Sequence, residues 1–164
     1  MGKKKQTWGI GDVFVVALTD SRFAVGQIIG REAKILNSVS IALFDQAIDS
    51  PTDAETIDMS AERAFATLFA TRDRLDSYGW RVVSNAPVRI PPNLFPYESL
   101  RRSGFIGAKV IGSGIIERFI RAYFGLEAWD PMLDPEYFDK LLLSPDRKPS
   151  RVIYGKTAPP SSSN

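Results

Sequence analysis

Two β-rich runs joined by a short polar turn constrain the fold of this chain more than any other feature. Asp12 to Leu18 (DVFVVAL) is dense in β-branched and aromatic residues, Thr19-Asp20-Ser21 has turn chemistry, and Arg22 to Ile29 (RFAVGQII) is a second run of the same kind. So short a connection brings the second run back antiparallel beside the first. Ser38 to Phe44 (SVSIALF) reads as a third strand after another short connection, which predicts an antiparallel meander. Gly26, inside the second run, predicts a bulge or tight bend of the kind that curls a sheet.

The next segment, Asp45 to Asp58, is polar and acidic, carries Pro51 and reads as a loop. Ala61 to Arg72 fits two templates. Ala61, Ala64, Phe65, Leu68 and Phe69 have helical spacing, while Phe65, Thr67, Phe69 and Thr71 alternate with Ala66, Leu68 and Ala70 as in a strand. Periodicity leaves both readings open. Thr71 to Tyr78 resembles a short helical turn closed by Gly79, and Trp80 to Val83 a short strand with Trp80 in the core. Pro87, Pro91, Pro92 and Pro96 forbid a regular helix or central strand across 87–104.

Lys109 to Ile111 could form a last strand, and from Ser113, a candidate cap, the pattern turns helical. Ile115, Ile116, Phe119, Ile120, Tyr123 and Phe124 make one apolar stripe, and Gly125 is a natural stop. Asp134-Pro135 opens a second helix through Leu143, with proline at its first position and Pro145 closing it. The expected class is α+β: a curled antiparallel sheet, with a partial SH3-like barrel as one form of it, and C-terminal helices packed on it. Residues 1–8 are expected to be a disordered lead, 9–156 a single globular domain and 157–164 a disordered tail.

The chain has no histidine and no cysteine. This excludes Ser-His-Asp and Cys-His nucleophiles, HExxH proteolysis and most zinc catalysis, which need imidazole or thiolate. Carboxylate chemistry with a divalent metal stays open, but no spacing marks an acid–base pair, Asp73 and Asp76 included. Gly9-Ile10-Gly11 and Gly112-Ser113-Gly114 lack the lysine and full spacing of phosphate loops, so turn and cap are the simpler readings. The expectation is a protein that is not an enzyme and uses no cofactor. No apolar run reaches the roughly 18 residues of a bilayer span, and the basic start has no apolar stretch behind it, so a cytoplasmic protein without a membrane partner is expected.

The formal net charge is only +2, yet the charges are segregated. Between Lys34 and Arg63 there are six acids and no base: Asp45, Asp49, Asp53, Glu55, Asp58 and Glu62. Between Arg121 and Lys140 the same holds for Glu127, Asp130, Asp134, Glu136 and Asp139. The bases gather in Lys3 to Lys5, Arg101-Arg102 and Arg147 to Lys156. The candidate partner-binding residues are the first six acids together with Glu127, Trp129 and Asp130, an acidic docking surface for a basic partner with an aromatic anchor. The plainer alternatives are a solvated loop for the first segment and an aromatic packed on the core for Trp129.

Three blocks together resemble the bacterial immunity protein 26 family of polymorphic toxin systems. They are Gly11 to Leu18 with Arg22 to Ile28; Asp73 to Trp80 and on to Pro87; and Gly125-Leu126-Glu127-Ala128-Trp129-Asp130 followed by Asp134 to Leu142 (DPEYFDKLL). The resemblance runs discontinuously over about residues 9–143. It favours strand for Ala64 to Thr71, and it implies a protein that neutralises a cognate toxin, its protein partner, by occluding that toxin's active or binding surface. Phosphotriesterase chemistry of the usual metal-dependent kind does not carry over, because its site needs histidines. The competing readings are a small barrel-like module binding nucleic acid or a peptide through its basic ends, and a carboxylate–metal enzyme. Aromatics are not interleaved with the bases as a nucleic-acid reader needs, so nucleic acid is not the expected partner.

Overall fold

A computed structural model describes residues 5–33, 35–96, 98 and 109–155. Five strands form one sheet: β1 (Asp12–Ala17), β2 (Phe23–Glu32), β3 (Ser38–Phe44), β4 (Ala64–Ala70) and β5 (Arg81–Asn85). Their order is β4-β3-β2-β1-β5, every neighbour is antiparallel, and β4 and β5 are left as edges, so the sheet is open. Among the described residues, helices follow or interrupt it at α1 (Asp73–Asp76), α2 (Ser113–Tyr123) and α3 (Tyr137–Leu141). The class is α+β, as the sequence predicts.

Both faces of the sheet are buried. Phe14, Val16, Ile28, Ile41 and Leu43 pack with α2 and α3 through Ile116, Phe119, Ile120 and Phe138. Val13, Val15, Val25, Ile29 and Ala42 point the other way, as strand alternation requires, and pack with Ile48, Ala54, Ile57, Met59 and Ile90. All seven residues of β4 are buried, which is why neither helical nor strand period stands out in its sequence. The family resemblance favoured strand there, and strand is what forms.

Several local expectations change. Gly26 is no bulge: it pairs in register with Phe14 and with Leu43. Its missing side chain instead makes room for the Phe14 ring, which stacks on Trp80 at 5.3 Å. The irregularity in β2 falls between Ile28 and Gly30. Lys109 to Ile111 forms no strand; Ile111 makes one isolated parallel bridge to Ala70. Gly112, not Ser113, is the N-cap of α2, because the Ser113 hydroxyl turns away to donate to Asp73 Oδ2 at 2.7 Å. The expected Asp134–Leu143 helix shortens to Tyr137–Leu141: the Asp134 carboxylate and carbonyl hold the turn before it, and Pro145 starts a 3-10 turn of its own.

Part of the expected disordered lead is tied down. Gln6 is buried; its Nε2 donates to the carbonyls of Leu75 and Trp80, and its Oε1 accepts from the Val82 amide. The Trp8 indole donates to Asp76. The stop at Gly125 holds: at φ +78° it lets its own amide reach Ala122 O and the Leu126 amide reach Arg121 O, the paired bonds of a Schellman motif. Arg101, Arg102 and the 157–164 tail lie outside the described residues.

Candidate partner-binding surface

The acid-rich segment after β3 is a fitted cover rather than a free loop. Ile48, Ala54, Ile57 and Met59 drop into the second core, Phe23 and Ile48 exchange backbone hydrogen bonds, and Pro51–Thr56 winds one 3-10 stretch. With the apolar side chains committed inward, Asp49, Asp53, Glu55, Asp58 and Glu62 are exposed and Asp45 is half-buried. The result is a carboxylate face on a fixed backbone.

Cations remote in sequence neutralise part of it. Arg63 bonds Asp45 at 2.8 Å, which holds the Arg63 guanidinium above its ordinary range, and Arg89 approaches Asp58 at 3.2 Å. Asp58 sits below the usual carboxylate range because the Ser60 amide and hydroxyl donate to it, with Arg89 adding to the effect. Glu62 is also lowered, by its own amide and the Ser60 hydroxyl. Asp49, Asp53, Glu55 and Glu62 make no ion pair with any described residue. A groove of about 460 Å³ runs beside Glu55, with Arg89 also on its wall and Ile57, Met59 and Ala86 among its lining.

The second acid-rich segment behaves differently. Glu127 is half-buried and held by Arg121 and, at 3.7 Å, by Arg118. Trp129 is fully buried, with its indole donating to Asp139 at 2.9 Å. Asp130 is only 1% exposed and accepts from the Gly155 amide at 2.6 Å. Of these three expected contact residues, Trp129 and Asp130 are thus buried in the free chain. The plainer reading of Trp129, an aromatic packed against the core beside Phe119 and Phe138, is what the geometry gives.

The structure brings the two segments together through a stretch not singled out as a site. Arg147 Nη1 donates to the carbonyls of Ala61 at 2.9 Å, Glu62 and Ala64. The next residue, Lys148, reaches Asp139 at 2.9 Å and lies 5.6 Å from the Trp129 ring centre. A groove of about 470 Å³ between them is lined by Asp45, Glu62, Phe65, Tyr123, Arg147 and Lys148. The sequence signal was the basic cluster from Arg147 to Lys156, which is the complement of the acid-only segments.

The other candidates resolve into structural roles. Asp73 takes hydroxyl hydrogen bonds from Thr71 and Ser113, while Asp76 takes Trp8 and Arg72. Among the described residues no three histidine, cysteine or acidic side chains cluster as metal ligands, and no helix is long and apolar enough to cross a membrane.

The family model for immunity protein 26 matches residues 9–104, more than half of the chain. The chain belongs to the immunity protein 26 family. No curated protein and no solved structure matches it. The family match takes in the whole sheet and the acid-rich cover, and with them the first two blocks that carried the resemblance. Helices α2 and α3, the second acid-rich segment and residues 144–155 lie beyond it.

Proposed function

We propose that this member of the immunity protein 26 family binds a cognate bacterial toxin in the cytoplasm of the producing cell and neutralises it by occluding its active or binding surface, without itself catalysing a reaction. The observation that carries this reading is the cover between β3 and β4. Its apolar side chains are locked on the sheet, and Asp49, Asp53, Glu55 and Glu62 project from it without a cation of their own among the described residues. A preset acid face loses little conformational entropy on binding and steers a basic partner into register. The 460 Å³ groove beside it adds apolar floor to the charge.

The nucleic-acid reading is less well supplied. Arg147, Lys148 and Arg151, its best-placed described cations, are spent on the protein's own carbonyls, carboxylate and rings. The test is a protection assay in cells expressing the toxin. A chain with Asp49, Asp53, Glu55 and Asp58 each changed to Lys should lose protection while keeping its circular dichroism. Full protection by that folded variant would place the toxin on another surface.

A further inference from the structure

Residues 144–155 carry three cations, and each is seated on the protein's own surface. Arg147 reaches three carbonyls, two in the turn before β4 and one at its first residue. Lys148 sits between the rings of Trp129 and Tyr154, at 5.6 and 5.1 Å, with Asp139 as its counter-ion. Arg151 lies over Tyr123 and Phe124, at 4.7 and 4.9 Å, and donates through Nε to the Tyr123 carbonyl at 2.8 Å. Beneath them is a platform of aromatic faces, carbonyls and carboxylates, the chemistry that recognises arginine and lysine.

The stretch itself is weakly built. Past the 3-10 turn at Pro145–Arg147 it has no regular structure, and its backbone is joined to the rest through the bridge at Ile153 and the Gly155 amide on Asp130. Its side chains from Arg147 to Gly155 are half-buried or exposed, and only Val152 and Tyr154 among its apolar side chains rest, half-buried, against the first core. Segments with few buried apolar contacts are the ones that open locally below the global unfolding free energy.

We propose that residues 144–155 are a displaceable strap, seated where an arginine- and lysine-bearing segment of the protein partner docks. The strap lies across the Ala61, Glu62 and Ala64 carbonyls and the Asp139 carboxylate in the free chain and lifts when the partner's basic segment takes its place. This rests on the toxin-binding reading and extends its surface from the exposed cover to the groove shared with the second acid-rich segment. Because the strap must leave first, the intrinsic affinity of the platform is masked by the fraction of chains in which it is open.

The test needs no toxin, so its failure is separable from that of the toxin-binding reading, which the protection assay decides. Hydrogen exchange of the full chain is measured at about 0.1 M and about 1 M salt, between which the Debye length falls from about 10 to about 3 Å. The amides of Trp129 and Gly155, both tied to the strap, should exchange several-fold faster at high salt while β2 and β3 do not change. In parallel, a synthetic peptide of sequence 144–155 is titrated into the wild-type chain and into the full-length Lys148→Gln, Arg151→Gln variant. The peptide should bind the variant several-fold more tightly, because the weakened strap yields its seat. Exchange of those two amides only together with β2 and β3, or equal peptide affinity for the two chains, overturns the proposal. If the variant does not fold, the exchange data on the wild-type chain decide alone.

Discussion

The ring of Phe14 occupies the space that a side chain on Gly26 would need. A β-carbon on Gly26 would stand 2.8 Å from Phe14 Cε2 and closer still to Cζ. The ring has little freedom to move, because its face is stacked on Trp80 with the planes 8° apart. Gly26→Ala should therefore destabilise the fold by about 1–3 kcal/mol, the usual cost of forcing extra volume into a packed core. Urea denaturation measures this, and an unchanged midpoint would contradict the packing described for β1, β2 and β5.

Gln6 stitches the chain's start to α1 and β5. Its amide satisfies the carbonyls of Leu75 and Trp80 and the amide of Val82, all at 2.8–2.9 Å. Gln6→Ala leaves these groups without that partner, at about 1–3 kcal/mol for a buried group left unsatisfied. The same urea series should show it, and the loss should exceed that from Thr7→Ala, since Thr7 is exposed.

Asp73 makes stability depend on acid. Burial pushes its carboxyl up, but the hydroxyls of Thr71 and Ser113 donate to the ionised form and bring it, on balance, below its ordinary value. A carboxyl lowered by folding contributes stability that is present above its unfolded pKa of about 3.9 and is lost as pH falls through the lower folded value. Melting temperature should thus drop as pH is taken below about 4, and Asp73→Asn should lower it near pH 7 while flattening that acid slope. Parallel pH dependence in the two chains would contradict the assignment.

How much of this was legible beforehand depends on where the determining contacts lie. The β1–β2 hairpin could be read because Thr19-Asp20-Ser21 and its flanking runs decide it locally, and α2 because its stripe has one period and Gly125 ends it. β4 could not be read from period, because it is buried throughout. The cover over the second face looked like a loop because Ile48, Ala54, Ile57 and Met59 follow neither a helical nor a strand repeat. For Trp129 and Asp130, which stand among acids, the local sequence leaves contact and core readings both open; the partners that decide it, Asp139, Lys148 and Gly155, lie further along the chain. The Arg147 contacts with Ala61 and Ala64 span more than 80 residues and leave no local trace.

The measurement that bears most directly on the central claim is the affinity of the purified chain for its cognate toxin, taken at low and high salt. Wild type should bind with marked salt dependence. The folded variant with Asp49, Asp53, Glu55 and Asp58 changed to Lys should bind at least about tenfold more weakly, with most of the loss in the association rate. Equal affinity and equal salt dependence for the two chains would show that the acid face is solvated surface and that the toxin is held elsewhere.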